Sequence, residues 1–199
     1  MTNEVESFIK ADGNEAAHQA FRGLVKSLLE KGADSNPHSD LQTCVEAIAE
    51  ATYGEGVLDD ANTATDLFGS KWVYMEDMEN DDELKLVSAW RPPYQLIGQI
   101  CLLLLDADKE ALVLYDYRDE MPNFFGAGLI CERNGEFINL DEEWEKPERD
   151  DETGELAADE IYQRIVTDEE EYDVDWGEIN IIQSEMEQRL RAQLTDRNS

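Results

Sequence analysis

Basic residues are scarce in this chain of 199 residues. It has 16 lysines and arginines against 48 aspartates and glutamates, which gives a formal net charge of −32. Proteins that bind DNA, RNA or anionic lipid directly need clustered Lys and Arg, and no such cluster occurs. The composition therefore argues against direct nucleic-acid binding and membrane binding, and a basic protein is the kind of partner that such a surface could attract.

Cysteine and histidine are also rare. Cys44, Cys101 and Cys131 are far apart, and no C-x-x-C pair exists, so neither a disulfide framework nor a zinc site is indicated. A calcium loop with Gly154 at its sixth position fails, because Arg149 would then occupy the first ligand position. No nucleotide-binding, hydrolase or metalloprotease motif is present. We expect no metal and no cofactor.

Long apolar runs are absent as well. The longest, Ile100 to Leu105, is far too short to span a bilayer. The N-terminus is acidic and lacks the basic and apolar regions of a signal peptide. With free cysteines, this predicts a cytoplasmic protein in a reducing compartment.

The first part of the chain has helical periodicity. Apolar residues recur at three- and four-residue spacing over residues 14–32 and again over 41–52, with a turn around Pro37. The pattern predicts an N-terminal helical hairpin over residues 14–53.

The middle changes to an alternating pattern. It predicts strands over 71–78, 83–90, 112–117 and 124–132, a buried helix over 94–105, and a two-residue hairpin turn at Asn134-Gly135. The two glycines inside the fourth strand, Gly126 and Gly128, indicate a bulge or close packing of the helix. We expect an α+β fold: one domain over residues 1–140, with an antiparallel sheet over 68–140 and helices on one face.

Residues 141–199 form an acidic extension. Asp and Glu dominate it as far as about residue 175, and residues 176–194 then have the apolar spacing of a helix. We expect this helix to pack on or beside the domain.

Two groups of acids are candidate sites. Asp116, Asp119 and Glu120 could form a ligand cleft with Arg91, since paired carboxylates can share acid and base roles. The alternative is structural: a strand end whose acids cap a turn or pair with Arg91 or Arg118.

The second candidate is an interaction surface made of Asp168, Glu169, Glu170, Glu171, Asp173 and Asp175. Such a surface could attract a basic protein, in its sharpest form by imitating DNA phosphates. Adaptation to a salty cytoplasm explains the same charge without any partner.

Four short motifs carry a resemblance. In order they are Phe68-Gly69-Ser70-Lys71-Trp72, Ser88-Ala89-Trp90-Arg91-Pro92-Pro93, Tyr117-Arg118-Asp119-Glu120 and Phe125-Gly126-Ala127-Gly128. Over residues 68–137 the chain resembles the YubB ferredoxin-like domain family of plasmids and phages. The resemblance implies a ferredoxin-like sandwich and no settled activity. The family tends to open with a strand, whereas residues 14–53 here predict two helices.

Together these observations favour a non-enzymatic accessory protein of a mobile element or its host that acts through protein contacts. The alternative is a small-ligand-binding or hydrolytic domain that uses Asp116, Asp119 and Glu120, with the acidic surface reflecting salt adaptation alone.

Trp72 and Trp90 are expected to bury large apolar areas against the helix.

Overall fold

A computed structural model of the chain describes residues 3–32, 49–50, 52–53, 66–76, 81–121, 123–149, 153, 156–168 and 173–197. Its strands are β1 (Glu4–Asp12), β2 (Lys71–Met75), β3 (Leu84–Ala89), β4 (Leu112–Asp119), β5 (Phe124–Arg133), β6 (Glu136–Glu145), β7 (Val166–Asp168) and β8 (Asp173–Val174). Its helices are α1 (Glu15–Gly32), α2 (Tyr94–Ala107), α3 (Glu160–Ile165) and α4 (Trp176–Arg197).

Six strands form one antiparallel sheet in the order β2-β3-β1-β4-β5-β6. The α+β class and the antiparallel sheet are as predicted from the sequence. The hairpin turn between β5 and β6 also lies at Asn134-Gly135, where both residues have positive φ, 55° and 80°. Two left-handed residues in succession are what a tight hairpin turn requires, and Asn and Gly tolerate that conformation best.

The central strand β1 is absent from the sequence-based prediction. It pairs with both β3 and β4, and the sheet could not form without it. The signal was available, because Val5, Ser7 and Ile9 alternate with exposed or half-buried residues and are themselves fully buried. The glutamates between them made the segment resemble a solvated terminus.

One core lies between the sheet and helices α1 and α2. Helix α1 contributes Phe21, Val25 and Leu28, and the sheet contributes alternate residues of β1, β3 and β4. Burial of such side chains is worth roughly 1.5–3 kcal/mol each. Helix α1 confirms the first predicted helix. The second arm of the predicted hairpin lies mostly outside the described residues and stays a prediction.

A second core lies on the opposite face of the sheet. Here α3 and α4 cover β5 and β6, and the apolar positions of α4 contribute Ile179, Ile182 and Met186. The buried amide of Gln183 donates to the backbone oxygens of Tyr117 (2.9 Å) and Gly126 (3.1 Å), which fixes α4 to two strands. Helices α1 and α2 of the predicted domain share one face, and the C-terminal helix packs on the other, because β5 has apolar side chains on both faces and needs a cover on each.

Trp90 departs from expectation too. Its side chain is 58% exposed and its φ is +74°, so it marks the sharp turn after β3 and does not pack in the core. The side chain of Trp72 lies outside the described residues.

The strand β6 continues to Glu145, so the first acids of the C-terminal segment belong to the sheet.

Gly126 and Gly128 make room for aromatic rings. Tyr117 lies opposite Gly126 and Tyr115 opposite Gly128 in a ladder without a bulge, and a Cβ on either glycine would overlap the facing phenol. The sequence-based expectation of a bulge or a closely packed helix was wrong. The phenol rings themselves take the space above β5, which lets both hydroxyls reach β6.

We predict that Gly128→Ala lowers the free energy of unfolding by about 1–3 kcal/mol, because the added methyl group forces the ring of Tyr115 to move. Urea denaturation measures this. Gly23→Ala is the matched control: the position lies in α1 with open space around it, so the same substitution should stabilise by about 0.5–1 kcal/mol. Equal effects at the two positions would contradict the proposed packing.

Candidate functional site

The exposed acids of β6 form a row that we call the carboxylate row: Asp141, Glu143 and Glu145. Alternate residues of a strand share one face, and all three side chains are exposed. The hydroxyl of Tyr115 lies 3.1 Å from Asp141 Oδ1, and that of Tyr117 lies 3.0 Å from Asp141 Oδ2. Two phenols carried on β4 therefore hold the first acid of the row in place.

The Tyr117 hydroxyl joins two acids of the row. It lies 3.0 Å from Asp141 Oδ2 and 2.9 Å from Glu143 Oε2. A phenol has one proton to donate, so it bonds both carboxyls fully only when one of them carries a proton. Partial burial raises the pKa of Asp141 and of Glu143, against the lowering effect of the tyrosine.

Cations on the opposite face of the sheet are held by internal ion pairs. The Glu6 carboxylate lies between Lys85 Nζ (2.6 Å) and Arg118 Nε (2.9 Å), and both cations lie over the ring of Phe8. Arg118 also lies 5.0 Å from the ring centroid of Trp176 on α4. These cations are bound to the sheet and leave little positive charge for the surface.

The same pattern extends beyond the sheet. Salt bridges link further cations to acids of neighbouring elements, among them Lys10–Glu83, Arg22–Asp82, Arg164–Glu178, Arg189–Glu142 and Arg191–Asp12. Each pair neutralises one acid, so the acids of the carboxylate row keep their charge uncompensated by these cations.

A cleft of about 320 Å³ opens at one end of the sheet. Asp119 and Glu120 line it, together with Glu4, Glu6, Glu76, Arg118 and Trp176. Two of the four residues of the predicted ligand cleft therefore come together here, and Asp116 and Arg91 do not line it. Sequence reasoning missed Glu4 and Glu6, because it missed β1.

Asp119 has a structural position. Its side chain is fully buried, and its oxygens accept from the backbone N–H of Asn123 (2.9 Å), from the Asn123 amide (2.6 Å) and from the Asn3 amide (3.1 Å). A carboxylate with this many donors closes the turn after β4. This arrangement matches the structural alternative, in which the acids of a strand end cap a turn.

Asp116 and Arg91 lie elsewhere. Arg91 Nε donates to the carbonyl of Gly69 at 2.7 Å and links the end of β3 to the start of β2. Asp116 lies on the face of the sheet that α4 covers. Burial raises the pKa of Asp116 to about 6, with Lys10 opposing the shift. The charges of Lys10 and Arg118 lower its pKa, and the carboxylates of Glu187 and Glu83 raise it.

The predicted interaction surface near residues 168–175 is described only in part. Glu169, Glu170 and Glu171 lie outside the described residues, as does the side chain of Asp168. The Asp173 carboxylate accepts from the Thr167 hydroxyl at 2.9 Å. Asp175 accepts from the backbone N–H of Glu178 at 3.0 Å and so caps α4. Both of these described carboxylates have local structural partners.

Comparison of the chain with protein-family models, with curated proteins and with solved structures finds no match in any of the three. The resemblance to the YubB family stays a prediction that rests on its four motifs. In the described part of the chain, no three His, Cys, Asp or Glu side chains are grouped to hold a metal ion. No described helix is long and apolar enough to cross a membrane.

We predict that Asp116→Asn stabilises the protein at about pH 8 and has little effect at about pH 4. The folded-state pKa of Asp116 is raised from 3.8 to about 6, so the burial penalty of the wild-type carboxylate is small at about pH 4, grows as pH rises from 3.8, and is complete above 6. A shift of this size corresponds to about 1–3 kcal/mol.

Urea midpoints at the two pH values measure the difference. Asp106→Asn removes an exposed carboxyl from α2 and should show no comparable gain at the higher pH. A loss of stability in Asp116→Asn at about pH 8 would show that the ion pairing with Lys10 outweighs burial, contrary to this assignment.

Proposed function

We propose that this protein is a non-enzymatic accessory protein that acts through protein contacts, and that the carboxylate row binds a basic partner protein. The observation that carries the proposal is the position of the row on a strand paired along its whole length with β5. A charged surface must be rigid to select a partner by charge, because ordering a flexible segment costs about 1–2 kcal/mol per residue. The row needs no such ordering.

Regular spacing supports the sharper form of the proposal, imitation of a DNA backbone. Alternate residues of a strand are about 6.8 Å apart, so the backbone positions that carry the row are evenly spaced. The tyrosine hydroxyls restrain Asp141 and Glu143 further. A basic nucleic-acid-binding protein is the partner that such a row would suit.

The strand order supports the proposed family and fold. We infer that β1, α1, β2, β3, α2 and β4 form a ferredoxin-like unit, since the order β2-β3-β1-β4 with antiparallel neighbours is the split β-α-β arrangement. The strand with which the YubB family tends to open has a counterpart in β1. Strands β5 and β6 would then be an addition to that unit, and the resemblance would place the protein on a mobile element or in its host.

We expect the protein to retain a basic nucleic-acid-binding protein from host lysate at low ionic strength, and to release it when salt screens the charges or when DNA competes. The triple variant Asp141→Asn, Glu143→Gln, Glu145→Gln should lose the partner. The matched control neutralises three exposed acids off the row, Asp106, Glu148 and Asp196, and should keep it.

A further variant neutralised over residues 168–175 separates the two acidic surfaces. Loss of the partner in that variant alone would move the interaction away from β6. If no variant differs from the wild type, and the melting temperature climbs steeply with added salt, adaptation to a salty cytoplasm explains the charge and the proposal fails.

The cleft favours a second candidate function, binding of a small cationic ligand. Its Glu4 and Glu120 carboxylates suit an ammonium or guanidinium group, which pairs with carboxylates. Glu120→Gln should then weaken binding of a screened amine at least several-fold in a thermal-shift or NMR assay. Asp106→Asn should leave it unchanged. Equal shifts in both variants would remove this candidate.

A further inference from the structure

Strand β6 is one edge of the six-stranded sheet. It pairs with β5 in unbroken register over ten residues, from Glu136 opposite Arg133 to Glu145 opposite Phe124. The described part of the chain supplies no strand on its other side. An edge of this length presents a row of backbone N–H and C=O groups that can pair with a further strand.

The two faces of β6 differ in chemistry. On one face lie Asn139 and the carboxylate row, all exposed, with the exposed Phe137 at the start of the strand. On the other face Ile138, Leu140 and Trp144 complete the second core, each less than a tenth exposed. A strand added beside β6 would therefore have acids next to one set of its side chains and the border of an apolar core next to the other.

The chemistry of these two faces determines which kind of strand can pair with the edge of β6. A second copy of the chain paired through its own β6 in antiparallel fashion would bring acid opposite acid on the exposed face, and like charges directly opposite one another are destabilising. An extended segment with Lys or Arg at alternate positions places opposite charges there. Apolar residues between them would extend the core beside Leu140 and Trp144.

We propose that the free edge of β6 binds an extended basic segment of a partner protein by strand addition, with alternating basic and apolar residues. This inference rests on the proposed function and adds the mode of recognition: backbone pairing supplies affinity, and the carboxylate row selects the sequence. The acids also disfavour acidic strands, including β6 of another copy of this chain.

The test uses a nine-residue peptide of alternating Lys and Val with the full-length protein. Two versions are N-methylated at every second residue, in the two possible phases. Only one phase blocks the amides that would face β6, so one version should bind at least tenfold more weakly than the other. Amide hydrogen exchange should slow along β6 in the complex, and the Asp141→Asn, Glu143→Gln, Glu145→Gln variant should bind at least tenfold more weakly than the wild type.

Four results would count against strand addition. Equal affinity for the two N-methylated versions would mean that charge alone attracts the peptide, which leaves the proposed function intact and removes the pairing. Failure of the peptide to bind while a lysate partner is retained through the carboxylate row would likewise refute only the pairing. Failure of both would refute the proposed function itself. A composition-matched peptide with its lysines in one block should bind more weakly, and equal binding would also count against strand addition.

Discussion

The packing of two phenol rings over two glycines is the constraint on which the acidic edge of this protein depends. The rings of Tyr115 and Tyr117 cross β5 at Gly128 and Gly126 and meet Asp141 on β6. A slip of one residue would place Ala127 beneath a ring and turn every side chain of the slipped strand to the other face. The packing thus selects the register of three strands at once, and the carboxylate row occupies its position as a result.

The distribution of the few cations follows a second physical requirement. An acidic chain that folds must bring carboxylates close together, and buried or half-buried acids need partners. Lys85 and Arg118 meet this need around Glu6, and Arg191 meets it where β1 ends against α4. The few cations pair with acids where two elements pack together. They therefore do not neutralise the acids on the exposed face of β6, and that face keeps a negative charge.

Local patterns in the sequence account for much of the fold. The alternation in β3 to β5, the prolines before α2 and the Asn134-Gly135 turn each specify an element through short-range chemistry, and those elements appear where predicted. Strand β1 was missed because its solvent-facing residues are charged, although its buried positions alternate. The tyrosine–glycine–carboxylate contacts could not be predicted, since they join residues up to 26 positions apart and depend on register. Of the candidate acids near β4, Asp119 and Glu120 line one cleft and Asp116 does not, and Asp119 is committed to a turn.

A long free edge strand is ordinarily a liability, because it can pair with any exposed strand and lead to aggregation. The negative charge of β6 determines which strands can pair with its edge. On a chain with a net charge of −32, self-association through β6 meets repulsion both locally, from acids opposite acids, and globally, from the two negative molecules. A basic segment meets attraction from the same groups. Under the proposed strand addition, the same carboxylates limit self-association and select the partner. This explains how β6 can remain ten residues long and free of proline or bulge, the devices with which other proteins shorten or distort their edges.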